Sequence, residues 1–166
     1  ALVRLGDILK KKDHELVNKI ETLSGKIVDS RKNSFPGETV SDFLQENKNY
    51  FPKLEEFANE VFDEVHNNNR TRYIALCEFL RLKYSISVKD IIPEDGKPFT
   101  KIYKKNRKEL LLSDYNSLET KKLYAAAQIA QEGAENIIEG YLSNYNFPSA
   151  ESRKLTKVAL LNYCGA

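Results

Sequence analysis

The tightest constraint on what this chain can fold into lies between residues 85 and 113, where the apolar period changes and then changes back. Upstream, Leu54, Phe57, Val61, Phe62 and Val65 form one stripe, and Tyr73, Leu76, Cys77, Leu80 and Tyr84 form another. Both have the three- and four-residue spacing of amphipathic helices. "SISVKDII" then alternates and is β-branched, which predicts a strand. "PFTKIYKKNRKELLLS" predicts two further short strands around Asn106 and Arg107. Residues 117–141 return to the helical period, and "NFPSAES" predicts a loop in which Ser149 or a neighbour caps a last helix from about 150 onward. The expected class is therefore α+β: mainly helical, with a small three-stranded sheet over residues about 86–113, followed by two helices.

The ends of the chain carry less information. Over residues 2–29, Leu9, Leu16 and Leu23 recur seven apart, with Ile20 and Ile27 between turns and Lys10, Lys11 and Lys12 opposite. That stripe either packs on the rest of the domain or forms a dimer seam. "SRKNSFPGE" breaks the pattern at Pro36 and Gly37. Val40, Phe43 and Leu44 then resume it, Pro52 opens a helix at its first turn, and "HNNNRT" closes that helix. The expected division is a connecting or dimerisation segment at 1–35 and a second unit at 36–166. The chain begins at Ala1 and stops within an apolar helical run, "KLTKVALLNYCGA". A piece of a longer protein, incomplete at its C-terminal end, is the expectation.

Composition removes several classes of function. Charged residues are 30% of the chain, yet the net charge is only +2, so no broad basic field predicts strong nucleic-acid binding by this segment alone. No apolar run reaches the roughly 18 residues needed to span a membrane, and no secretory leader pattern opens the visible chain. Cys77 and Cys164 belong to no CxxC pair and read as small core thiols of a reducing, cytoplasmic compartment. His14 and His66 lack the HxxxH spacing of a zinc site and read as surface or capping residues. Neither GxGxxG nor GxxxxGK[ST] occurs.

The puzzling segment is "LETKKLYAAAQIAQEGAENIIEGY", residues 118–141. It has Leu123, Ile129, Ile137 and Ile138 for bulk but AAAQIAQ in the middle. Either a neighbour packs tightly there, or an old active site has been emptied. The order of helices, strand, hairpin and helices resembles a small zinc-peptidase core, whose helix after the hairpin carries HExxH. There, two histidines four apart bind zinc and the glutamate is the general base. In that frame Ala127, Gln128 and Gln131 occupy the three positions, and none of them can do the original chemistry. Glu151 would be a relic of a further acidic ligand. No catalytic residue and no metal or cofactor is expected.

"VSDFLQENKNYFPKLEEFA", "RYIALCEFLRLKYSISVKDIIPED", "KELLLS", "KLYAAAQIAQ" and "VALLNYCGA", in this order, resemble the middle region of the short-chain fatty-acyl transcriptional regulators. These join an XRE-type helix-turn-helix to a degenerate ImmA/IrrE-type metallopeptidase-like domain and a further C-terminal domain. The likeness covers most of residues 38–166. In that family the motif glutamate is usually Gln, as at Gln128, whereas Ala127 departs from the expected histidine. The resemblance implies a sensor, without hydrolase activity, that binds a small acyl metabolite such as an acyl-coenzyme A in the former catalytic cleft. It implies a homodimer that reaches DNA only through a helix-turn-helix absent from these residues.

Each expected ligand-binding residue has a plainer alternative. Ala127, like Ala126, either floors the cleft or lets a helix approach. Gln128 and Gln131 face a ligand or the exposed side. Tyr124, a turn before Gln128, either stacks on a ligand or is core. Lys122 either meets a coenzyme A phosphate or is solvated. Asn162 and Tyr163, on the last helix, contact ligand or bridge structure. "KIYKKNRK" is a solvated hairpin first, with a phosphate or DNA-backbone contact as the alternative. Rival readings of the whole are a dimerisation scaffold with a filled cleft, and a hydrolase whose metal ligands lie outside these residues.

Overall fold

Prolines and left-handed turns set the limits of the first helices. Pro36 opens α1 (Pro36–Glu46) and Pro52 opens α2 (Pro52–His66), because a missing N–H costs nothing in a first turn. Between them Lys48 and Asn49 take positive φ, while the Asn47 amide and the Asn49 N–H close on the Phe43 and Leu44 carbonyls at 2.8 Å. The computed structural model describes residues 36–66, 71–94 and 96–165. The Leu9, Leu16 and Leu23 stripe and His14 lie outside the described residues.

Helix α3 (Arg72–Tyr84) stops at Ser85, a left-handed residue at φ 58°. The N–H groups of Ser85 and Ile86 both turn back to the Leu80 carbonyl. Ser85 thereby satisfies a helix end at the conformational cost of a side chain in that region. Strands β1 (Ser87–Ile91), β2 (Lys101–Lys104) and β3 (Glu109–Ser113) follow, where the alternating segments predicted them. Their order is β1-β3-β2. β1 runs parallel to β3 with Ser87 opposite Glu109, and β2 antiparallel with Tyr103 opposite Leu110. Central β3 buries Leu110 and Leu112 completely.

The expected single helix over 117–141 is two: α4 (Leu118–Gly133) and α5 (Glu135–Ser143), joined at Ala134 with φ −108° and ψ 10°. Close packing marks the break. A Cβ on Gly133 would lie 2.4 Å from Tyr84 Oη and 2.7 Å from the Phe57 ring. Three helices therefore follow the sheet, the last being α6 (Ala150–Tyr163). Ser149 caps α6 in a reciprocal box with Ser152. The architecture is α+β, six helices and a small mixed sheet among the described residues.

Two hydrophobic clusters meet at α4. The first gathers around Phe51, fully buried and set 5.8 Å from the Phe43 ring, 5.1 Å from Tyr141 and 5.2 Å from Tyr163. Such ring pairs are worth about 0.5–1.5 kcal/mol each beyond burial. Ala127, Ala130 and Ala134 belong to this cluster. Ala125 and Ile129 belong to the second, under the sheet and α3. A helix enclosed on two sides has room for alanine where its neighbours' side chains fill the space, which accounts for much of AAAQIAQ.

Candidate functional site

Helix α2 carries its apolar stripe to the end, but only Leu54 and Val65 are buried. Phe57 and Val61 are half-buried and Phe62 is 46% exposed. They border a cavity of about 610 Å³ between α2, α3, α4 and the Cys164–Gly165 end of the described chain. Phe57, Val61, Val65, Leu76, Leu123, Ala126 and Ile129 make its apolar surface; Asn59, His66, Arg72, Glu119 and Lys122 add polar and charged groups. Ala126 presents only a methyl to this side, too little to fill the gap. The cavity's surface is shared about equally between apolar and polar groups, more polar than the usual small-molecule site but of a size that holds one.

The electrostatics around the cavity lean positive. Lys122 Nζ lies 2.8 Å from Glu119, whose side chain is 81% exposed, so the pair is screened and easily opened. The Arg72 guanidinium sits 5.6 Å over the Phe62 ring, which stacks on His66 at 4.9 Å. Arg72 has no carboxylate partner among the described residues. Cys164, also bordering the cavity, is held as a thiol: burial, then the Glu55 carboxylate, push its pKa up to about 11.

An ionic network centred on one buried lysine holds the start of α4 beside this cavity. Lys121, with only 10% of its side chain exposed, reaches Asp114 at 2.9 Å and Asp90 at 3.2 Å. The hydrogen bond to Asp114, followed by that to Asp90, raises its pKa. Asp90 also accepts the Tyr73 hydroxyl at 2.9 Å. Strand β1, α3 and α4 are thus pinned together one residue before Lys122.

Of the seven residues expected at the ligand, Lys122 borders this cavity and the other six lie elsewhere. Positions 119, 122, 123 and 126 form one face of α4, whereas 124, 127, 128 and 131 lie around the helix from it. Ala127 is 2% exposed within the first cluster. Gln128 is fully buried; its Nε2 donates to Glu132 Oε1 at 3.0 Å, and its Oε1 has no partner among the described residues. Tyr124 is half-buried under the Lys101 ammonium, 5.6 Å from its ring, and Gln131 is half-buried. Asn162 is exposed. The Tyr163 hydroxyl donates to Glu55 Oε1, and burial, then that carboxylate, raise its pKa to about 12. Glu151 is exposed in the first turn of α6.

Arg72, Phe57, Val61 and Leu123 were not singled out by the sequence as site residues. One signal for them exists: the apolar stripe of α2 runs on to Val65, while α4 has an alanine, Ala126, between Leu123 and Ile129 where it faces that stripe.

No family model matches the sequence. The chain is 27% identical over 130 residues to the HTH-type transcriptional regulator PrpR of Mycobacterium tuberculosis, covering 77% of this chain and 26% of that protein. It superposes on a solved Mycobacterium tuberculosis transcriptional regulator with a TM-score of 0.70 and 26% identity, covering 80% of this chain and 40% of the other. Both relatives are transcriptional regulators. The chain spans about a quarter of the length of the first. No helix among the described residues is long and apolar enough to cross a membrane.

Proposed function

We propose that this chain is the ligand-sensing part of a cytoplasmic, homodimeric, DNA-binding transcriptional regulator of short-chain fatty-acid metabolism, and that it has no hydrolase activity. Its ligand is a small acyl metabolite, an acyl-coenzyme A thioester being the form that uses every feature of the cavity. The observation that carries the reading is a hollow in which the apolar side chains of α2 and α4 lie beside Arg72 and Lys122. The acyl chain lies along Phe57, Val61 and Ala126, and the anionic groups meet the two cations. On this reading the ligand lies on the Leu123–Ala126 face of α4 rather than on the Ala127, Gln128 and Gln131 face, which corresponds to the metal-binding face in the peptidase frame. The similarity to two transcriptional regulators supports the regulatory half of the reading.

Three helices contribute to the cavity, so a ligand between them favours one spacing of α2, α3 and α4 over others. A ligand shifts a conformational equilibrium only by its differential affinity for the two states. The shift would pass to the DNA-binding part through the segment preceding α1. Calorimetry with acetyl-, propionyl- and longer acyl-coenzyme A tests the binding. Affinity should rise with chain length by roughly 0.8 kcal/mol per buried CH₂ until the cavity is full. Arg72→Glu and Lys122→Glu should each weaken binding at least tenfold. No heat at millimolar ligand would overturn the proposal.

A further inference from the structure

The turn between β2 and β3 is strongly basic and is unused by the cavity. Residues 101–109, KIYKKNRKE, hold five cations and one carboxylate. Their structural commitments separate them. Lys101 lies over the Tyr124 ring, and Lys108 Nζ donates to the Tyr84 carbonyl at 3.1 Å. Glu109 is held by Lys89 at 2.6 Å. Lys104, Lys105 and Arg107 remain, all exposed and without a bonded carboxylate among the described residues.

These three cations sit on a preorganised support. Lys105–Arg107 form a single 3₁₀ turn, Lys108 is left-handed at φ 49°, and its N–H returns to the Lys105 carbonyl at 3.2 Å. The Ser87 N–H bonds to the Lys108 carbonyl at 2.9 Å, tying the turn to β1. Lys104, Lys105, Asn106 and Arg107 together line a shallow hollow.

The chemistry of the turn selects its partner. The hollow has no aromatic or aliphatic side chain in it, and a protein partner or a lipid surface would want such an anchor. Lys, Arg and Asn side chains are what the phosphodiester backbone takes, positioning a protein without reading sequence. We propose that this turn is an auxiliary contact for the DNA phosphate backbone, made through Lys104, Lys105 and Arg107. The proposal rests on the reading of the chain as part of a DNA-binding regulator. With three phosphates contacted, the interaction is weak alone and adds to a specific contact made elsewhere.

Fluorescence anisotropy of a labelled random 25-base-pair duplex, titrated with the 166-residue chain across a salt series, tests it. The slope of log K against log salt should be about −2.7, or about 40-fold weaker binding between 50 and 200 mM salt, from about −0.9 per phosphate. Lys104→Gln, Lys105→Gln and Arg107→Gln together should bring that slope near zero. Lys48→Gln, Lys53→Gln and Lys154→Gln together, the same charge lost elsewhere, should leave most of it. Equal losses in the two triple variants would overturn the proposal, as would tighter binding to phosphatidylserine vesicles than to duplex. Acyl-coenzyme A calorimetry on the same proteins separates the two readings. Ligand binding without duplex binding in the wild-type chain sinks this proposal and spares the sensor; duplex binding lost only in the turn variant supports it whether or not ligand binds.

Discussion

On one side of α4, Ala127 and Ala130 are buried against Phe51, Leu160 and their neighbours; on the other, Ala126 borders a cavity of about 610 Å³. The residues are alike, and the difference lies in what faces them. Toward the first cluster, large side chains from α1, α5 and α6 and the Phe51 ring take up the space that alanine leaves. Toward the cavity, the α2 side chains Phe57, Val61 and Phe62 stop short. A small residue is therefore a packing device in one direction and a vacancy in the other. What a helix of alanines does is decided by its neighbours.

The largest effect should come from the packed side. Phe51→Ala should cost about 3–5 kcal/mol, as large buried aromatics do, in urea unfolding of the chain. A loss below about 1 kcal/mol would show that the cluster is loosely held. The next test contrasts adjacent residues. Ala127→Leu forces bulk into a filled space and should cost about 1–3 kcal/mol. Ala126→Leu grows into the hollow, should change stability by under about 1 kcal/mol, and should block acyl-coenzyme A binding. Equal destabilisation by the two would erase the distinction between the faces.

The strand limits and the Ser149 cap were legible because each rests on a local rule: alternation in SVKDI, a hydroxyl ahead of a helix. The break at Ala134 was not. Gly133 is tolerated inside a helical run, and only the approach of Tyr84 and Phe57 shows why it stands there. The open face of α4 was equally hidden, since AAAQIAQ offers small or neutral side chains all round and the sequence states no preference. The HExxH frame drew attention to Ala127, Gln128 and Gln131. Of these, Gln128 alone has a fully buried polar atom without a partner among the described residues.

Smaller effects sharpen the account of what holds α4 in place. Lys121→Met removes the cation shared by Asp90 and Asp114, both partly exposed. It should cost about 1–2 kcal/mol, between the values for surface and buried pairs, read from thermal unfolding. The smallest effect is on pH dependence. Lys157, then Arg153, hold the Glu139 carboxyl below its usual 4.5. Its folded pKa is depressed, so the stability it contributes is present above the unfolded value and lost as pH falls through the folded one. The urea midpoint should drop on acidification below about pH 4.3, and Glu139→Gln should flatten that drop by no more than about 1 kcal/mol.

Backbone amide chemical-shift mapping with propionyl-coenzyme A tests most directly which side of α4 meets the ligand. The account predicts shifts concentrated at Val65, Arg72, Leu76, Lys122, Leu123 and Ala126, with Tyr124, Gln128 and Gln131 little moved. Shifts centred on Tyr124, Gln128 and Gln131, leaving the α2–α3 wall silent, would contradict it.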